Sequence, residues 1–432
     1  MGIIANIPET GTRKRVVIIG GGFAGLELAR KLDKKFYQVV LIDKNNYYQF
    51  QPLFYQVATG GLEPSSISYP YRKGFQKQPN VHFRMCEAKH VITSEKKIIT
   101  TIGDVNYDYL VIATGCDTNY FGNDGLKEST FALKSVSESL LARNRILLSF
   151  EEAVGAKDDE HLKEILSFVI VGGGATGVEL SGALADMRKT ILPKDYPEVD
   201  FKKMEIHLVD ASPRLLSGMS EKASAKAAET LEKRGVIIHQ DVSVKSYDKP
   251  YVELSTGEKL RSRNVFWVGG VKANSIAGLN ENAYNRGRLV VNEYNQVEGY
   301  NDVYAIGDTA LMTNIVYPKG HPQVAQVALQ MAKRLAKNLN NCAKGVEEEK
   351  FSYSDRGSLA TIGRNAAVAD LGKFRFGGRV AWWLWLWVHI LSIIGMRNRL
   401  SVFIDWVWSY LNYDVSLRLF IRPKPNKMYG EE

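Results

Sequence analysis

The residues with the clearest chemical purpose are six glycines and two aspartates that come in two matching sets. Arg15 to Ala29 reads RVVIIGGGFAGLELA, where Gly20, Gly22 and Gly25 give G-x-G-x-x-G. Phe168 to Ser181 reads FVIVGGGATGVELS, with Gly172, Gly174 and Gly177 at the same spacing. The chemistry of such a set is dinucleotide binding. The first glycine makes a tight strand-to-helix turn and the second lets backbone approach a pyrophosphate. The third lets helix and strand pack closely, and the phosphates sit at the positive helix N-terminus. Each set needs an acid on the next strand to accept hydrogen bonds from ribose hydroxyls. Asp43, closing VVLID, stands at the expected distance from the first set. Asp210, closing EIHLVD, lies further from the second, delayed by the turn-rich ILPKDYPEVDFKK. An acid here favours a free 2′-hydroxyl and hence NAD, while Arg214 nearby keeps a 2′-phosphate open as an alternative.

Other side chains fall at chemically useful spacings. Gly307 and Asp308 end VYAIGD; glycine admits a close backbone and the acid accepts from a sugar-alcohol hydroxyl. Gln326 and Gln330 are four apart in AQVALQMAKRLAKNL, on one face of a helix that is either a site lining or plainly solvated. Glu179 lies in the first turn of the helix after the second glycine set. Glu27 occupies the same offset in the first, so an acid that merely stabilises its helix end is the competing reading. Cys86, Cys116 and Cys342 form neither C-x-x-C nor a zinc spacing, so no metal site or disulfide framework is expected.

These residues require buried strands to carry them. VVII, YDYLVIATG, FVIV, RNVFWVGGV and VYAIG are short apolar runs closed by glycine, the pattern of parallel strands covered on both faces. Repetition of the glycine set implies two Rossmann-type domains, an α/β fold. The expected limits are 13–123 for the first domain, resumed at 287–345, then 124–286 for the second and 346–432 for a C-terminal domain. The stretch from Lys44 to Arg72 is irregular and rich in Tyr and Phe, which suits either packing or the wrapping of a flat cofactor.

The C-terminal part differs in kind. Val380 to Met396 has no formal charge, and six of the seven tryptophans lie between Trp382 and Trp408. At about 17 residues, or roughly 25 Å of helix, the run is at the lower limit for a hydrocarbon core of about 30 Å. Arg397 and Arg399 then interrupt it, and LSVFIDWVWSYL carries Asp405. Two helices lying in a membrane interface are expected, with a buried core or dimer helix as the alternative. The net charge of +9 suits nucleotides or anionic headgroups. No nucleic-acid motif accompanies it. The first residues carry no secretory or myristoylation pattern, so the protein is expected in the cytoplasm or on its membrane face.

Taken together, NNYYQFQPLFYQVATG, the two glycine sets, VYAIGD, AQVALQ, GSLATIGRNAAVADLG and the tryptophan-rich tail with RNRL resemble the type II NADH:quinone oxidoreductases over nearly the whole chain. One departure is Tyr48, where many relatives have histidine. The resemblance implies a glutathione-reductase-like pair of nucleotide domains followed by membrane-associating helices. It implies non-covalent FAD held by Gly20, Gly22, Phe23, Ala24, Gly25, Asp43, Lys44, Gln51, Ala113, Thr114, Gly115, Gly307, Asp308, Ala325, Gln326 and Ala328. NADH as co-substrate would lie on Gly172, Gly174, Ala175, Thr176, Gly177, Glu179 and Asp210. Glu179, Gln326 and Gln330 would serve catalysis, Glu179 near nicotinamide and quinone, and the glutamine amides donating to the quinone oxygens. The acceptor would be menaquinone or ubiquinone. The family further implies a homodimer attached peripherally to an anionic membrane surface, on the cytoplasmic face of the inner membrane, and no proton pumping.

Other functions on the same plan lack their own signatures. Disulfide reductases and sulfide:quinone oxidoreductases need reactive cysteines, and the first domain offers only isolated Cys86 and Cys116. Soluble ferredoxin or rubredoxin reductases have no use for the tryptophan tail. An NADH-sensing flavoprotein scaffold is the alternative from outside the enzymes.

Overall fold

The computed structural model describes every residue except 1, 3, 5, 415, 416 and 421–432. The chain forms two compact units, each built from three segments. Met1–Gln49, Ser68–Asp117 and Val271–Arg356 make the first, and Phe50–Ile67, Thr118–Gly270 and Gly357–Glu432 the second. These limits differ from the expected ones chiefly in two places: Gly357–Glu432, most of the expected separate C-terminal domain, belongs to the second unit, and so does Phe50–Ile67, which was placed in the first nucleotide domain. Its short helix Phe54–Ala58 buries Phe54, Tyr55, Val57 and Ala58 and packs on the second unit's helices Val136–Val154 and Ala175–Thr190. Apolar burial thus assigns this segment against its position in the chain.

The first unit is centred on five parallel strands in the order Val303–Ala305, Tyr109–Ile112, Lys14–Ile19, Tyr37–Asp43 and Val81–Met85. Val16, Val17 and Ile18 are fully buried, as a strand covered on both faces requires. Register then does the positioning. Ile19 lies opposite both Ile42 and Ile112, and Ala305 opposite Ile112. Gly20, Asp43, Ala113 and Gly307 therefore leave the sheet at one edge, the carboxyl edge where open α/β sheets bind ligands. The helix Phe23–Lys31 packs against Ala325–Cys342.

The second unit repeats the plan with four parallel strands, Ile237–His239, Glu205–Val209, Ser167–Val171 and Asn264–Trp267. Val171 lies opposite Val209 and Trp267, so Gly172 and Asp210 again share an edge. An antiparallel trio, Ser358–Gly363, Ala366–Leu371 and Phe374–Gly377, lies against the helix Ala175–Thr190. The approach is close enough that a Cβ on Gly182 would stand 2.3 Å from the carbonyl oxygen of Ile362. Two tail helices follow, Arg379–Ser392 and Met396–Asn412. The helix along the apolar run ends at Ser392, short of Met396, because Ile393 is extended and Gly395 takes a φ of +90°. No helix of the described residues is long and apolar enough to cross a membrane.

Candidate functional site

In the first unit, Asp43 holds the glycine turn. Its Oδ2 accepts from the Gly21 N–H at 2.7 Å and its Oδ1 from the Asn45 N–H at 2.7 Å. Tyr71 donates its hydroxyl to the Gly21 carbonyl at 2.8 Å. Burial pushes the Asp43 carboxyl up, against these N–H bonds. A Cβ on Gly25 would fall 1.8 Å from the Gly20 oxygen, whereas one on Gly22 would meet nothing within 4 Å. The turn is closed behind and open in front. Ala24 and Ala328 flank Gly307, their Cβ atoms 3.3 and 3.4 Å from where its own would stand.

The Thr114 hydroxyl donates to the Asn274 backbone carbonyl at 2.7 Å, and the Thr114 carbonyl accepts from the Asn274 side-chain amide at 3.0 Å. The Cys116 thiol donates to Asp308 Oδ2 at 2.9 Å. Phe23 meets buried Tyr48 edge-on, centroids 5.6 Å apart, so tyrosine at the departure position packs beside the glycine helix. Lys44 is exposed beside Asp43, Gly115 takes a φ of +68°, and Ala325 opens its helix. Gln51, expected among these residues, is exposed and belongs to the second unit. An open glycine backbone at a helix N-terminus, a floor of alanines and an acid at each of two strand ends fit the dinucleotide FAD.

The second unit carries the same device. Asp210 Oδ2 accepts from the Gly173 N–H and its Oδ1 from the Ser212 N–H at 2.6 Å. A Cβ on Gly177 would fall 1.8 Å from the Gly172 oxygen, and Gly174 is open. Ala175 is exposed and Thr176 half-buried at the start of the helix. Arg214, left open as a phosphate ligand, is committed to its own loop, donating to Met219 at 2.7 Å and Ser217 at 2.8 Å.

Glu179 is 6% exposed. Its Oε1 accepts the Thr361 N–H at 3.4 Å, from the strand that lies on its helix. Burial pushes its carboxyl up to about 8, opposed by that bond and by the nearby Trp385 indole. It is therefore largely protonated at neutral pH, a buried acid able to hold or release a proton. Tyr55 is also buried and feels its charge. Trp385 stacks on His389 with centroids 3.9 Å apart, and His389 Nδ1 donates to the Trp385 carbonyl at 2.8 Å. Burial pushes His389 down to about 4, so its ring is neutral.

The glutamines, whose amides are expected to face a quinone, carry hydrogen bonds within their own unit. Gln330 donates to the Ser354 carbonyl at 2.9 Å and accepts from its N–H at 3.0 Å. Gln326 Oε1 accepts from the Arg356 N–H at 3.1 Å. Both bind the segment that runs beside their helix. Sequence reasoning also passed over Arg364. It donates to the Ser409 carbonyl at 3.0 Å and to that of Tyr410, and stacks 3.6 Å from the Tyr413 ring centroid. Its backbone N–H bonds Asp186 at 2.7 Å, and Asp186 pairs with Arg234. Arg364 thus closes the last turn of the second tail helix and ties it to the Glu179 helix. The signal available was GSLATIGRN, read only as a family motif.

Residues 14–332 match the family model for pyridine nucleotide-disulphide oxidoreductases, and residues 356–412 match that of the NDH2 C-terminal domain. The type II NADH:quinone oxidoreductase Ndh of Mycobacterium tuberculosis is 34% identical over 416 residues, covering 93% of this chain and 89% of the relative. NDH2 from Plasmodium falciparum, solved in complex with NADH, superposes with a TM-score of 0.87 at 23% identity, over 95% of this chain and all of that one. The sulfide:quinone oxidoreductase of Aquifex aeolicus shares the fold at a TM-score of 0.71 and 19% identity, over 95% and 96% of the two chains. With two nucleotide cradles, a buried acid beneath the C-terminal segment and matches along nearly its whole length, this chain belongs to the type II NADH:quinone oxidoreductases.

Proposed function

We propose that the first unit binds FAD, the second binds NADH, and Glu179 serves the delivery of electrons and protons to a quinone. The chain is an NADH:quinone oxidoreductase, a membrane-associated respiratory enzyme of a family without proton pumping. Bound FAD supplies the redox chemistry, accepting a hydride and passing on two electrons. The protein's part is to hold and orient. Gly20, Gly22 and the N-terminus of Phe23–Lys31 take the pyrophosphate, Asp43 the ribose, and Asp308 a sugar-alcohol hydroxyl. Asp210 takes the NADH ribose and would repel a 2′-phosphate. Glu179 keeps a proton near neutral pH for quinone reduction. Duplication of strand end, glycine turn and acid is the observation that carries this reading, because two cradles suit a cofactor and a co-substrate held at once.

The test is purification and assay. The protein should be yellow, with one releasable FAD per chain, and should oxidise NADH in preference to NADPH with menaquinone or ubiquinone analogues. A folded, colourless protein that takes up no FAD refutes the first cradle. A slow stoichiometric bleach without turnover would favour the sensing scaffold.

The tail is the part we assign to an anionic lipid surface, on the cytoplasmic face of the membrane. Its helices leave Trp383, Trp387, Leu391, Leu400, Ile404 and Leu411 exposed, with Arg379, Arg397 and Arg399 nearby. Apolar side chains, tryptophans and cations together suit the headgroup boundary. Deleting residues 381–432 should abolish sedimentation with anionic vesicles, and high salt should weaken binding of the full chain only in part. Continued sedimentation of the truncated protein would free the tail of this role. A homodimer, as the resemblance implies, is checked by sedimentation velocity in detergent.

A further inference from the structure

We infer that the phenol of Tyr55 and the indole N–H of Trp385 hold a carbonyl oxygen of the quinone. This rests on quinone as the acceptor and names the groups that grip it. A quinone oxygen only accepts, so its site must present buried donors. Of the two glutamine amides expected as donors, that of Gln330 is taken by Ser354, and Gln326 is bonded through its Oε1 to the Arg356 N–H.

Two other donors in the second unit lack acceptors. Trp385 is 1% exposed, and its Nε1 forms no hydrogen bond among the described residues. It lies near enough to Glu179 to favour the carboxylate, without the geometry of a bond. Tyr55 is the second. The Trp406 indole donates to Gln56 Oε1 at 2.8 Å, which fixes the orientation of that amide because an indole cannot accept. Gln56 Nε2 then donates to the Tyr55 oxygen at 2.8 Å. The phenol accepts this bond, so its own hydrogen is available to a ligand, and no acceptor for it is found among the described residues. The Tyr55 and Trp385 rings meet edge-on, centroids 6.5 Å apart. Both interact electrostatically with Glu179. Buried donors without partners are unfavourable unless something accepts from them.

The surroundings suit a lipophilic molecule. An apolar cavity of about 260 Å³ opens between the tail helices, lined by Trp382, Leu386, Phe403 and Trp406 among others. Trp406 belongs to this lining and to the line through Gln56 to Tyr55. Its ring lies 5.7 Å from that of Trp385, centroid to centroid. Neither donor is part of the lining; Trp406 is the lining side chain that meets Trp385 and bonds Gln56.

The test uses the oxidised, FAD-loaded full chain and menadione, a naphthoquinone without a tail. Calorimetric titration of Tyr55→Phe and of Trp385→Phe should each give a Kd about threefold to tenfold above wild type, the range expected for one lost hydrogen bond. The quinone KM should rise more than kcat falls. The infrared carbonyl band of bound menadione should be shifted down in wild type and return toward the free position in Tyr55→Phe. If Trp385→Phe does not fold, Tyr55→Phe decides, since it removes a single oxygen. A wild-type protein that neither binds nor reduces menadione refutes the quinone reading itself. Tight binding in wild type with Kd and band unchanged in Tyr55→Phe overturns these donors alone. Loss of affinity in Gln330→Ala with no change in Tyr55→Phe would return the oxygen to the glutamine helix.

Discussion

Glu27 and Glu179 stand at the same offset from two nearly identical glycine motifs, and they have opposite physics. Glu27 is partly exposed and lies 3.7 Å from Lys31 and 3.8 Å from Lys333. Glu179 is buried, accepts one backbone N–H and holds its proton up to about pH 8. The acids Asp43 and Asp210, in contrast, perform the same local task, each gripping the middle glycine N–H of its motif. A repeated sequence thus fixes what is local. What lies on the helix from far away decides the rest. The second helix is covered by the strand Ser358–Gly363, at a distance that only glycine at 182 permits.

The strongest way to break this contrast is to remove the buried acid. Glu179→Gln should lower kcat with quinone by about 100-fold, the lower end of the scale for losing a positioned proton donor. Stability checks the same residue. The folded protein keeps a proton that the unfolded chain releases near pH 4.5, so wild-type stability should fall as pH rises from about 4.5 to about 8. A shift of this size corresponds to several kcal/mol at most, on the order of 5. Thermal unfolding of Glu179→Gln should lack this decline. A wild-type melting profile flat over that window would mean that the acid is hydrated.

The two aspartates sharpen the comparison at the next scale. Asp210→Ala should raise the NADPH-to-NADH ratio of kcat/KM by about tenfold, through loss of repulsion and of the ribose bonds. Asp43→Ala should leave that ratio alone and lower FAD content instead. An unchanged ratio in Asp210→Ala would remove it from cofactor choice. The smallest effect belongs to Glu27→Gln. Its two ion pairs are long and reach exposed lysines, so unfolding by urea should report a loss below about 0.5 kcal/mol. A loss of several kcal/mol would end the claim that the two glutamates differ in kind.

Much of the fold was legible because its signals are local. β-branched runs closed by glycine gave the strands, and the motif spacing placed the acids at strand ends. The state of Glu179 was not legible, because Thr361, which bonds it, is 182 residues away. The glutamines show the same limit. Their spacing put both on one helix face, but nothing in AQVALQ tells that Ser354 and Arg356 lie along it. Phe50–Ile67 was misplaced for a related reason. Its aromatic residues announce burial without naming the surface that buries them. Tyr55 became visible as a donor only once Gln56 and Trp406 were seen to fix the direction of its hydrogen bond.

The discontinuity of the first unit has a bearing on how the chain is made. Its central sheet ends with Val303–Ala305 on Tyr109–Ile112, and its glycine helix is covered by Ala325–Cys342. During synthesis the opening strands emerge long before these partners exist. The second parallel sheet lies wholly between Ser167 and Trp267 and has every strand once that stretch has left the ribosome. Closure of the two parallel sheets then runs against the order of translation, the later sheet having all its strands first. The sheet that opens the sequence is therefore the last to receive all its strands, and an FAD site on its carboxyl edge exists only after most of the protein has been built.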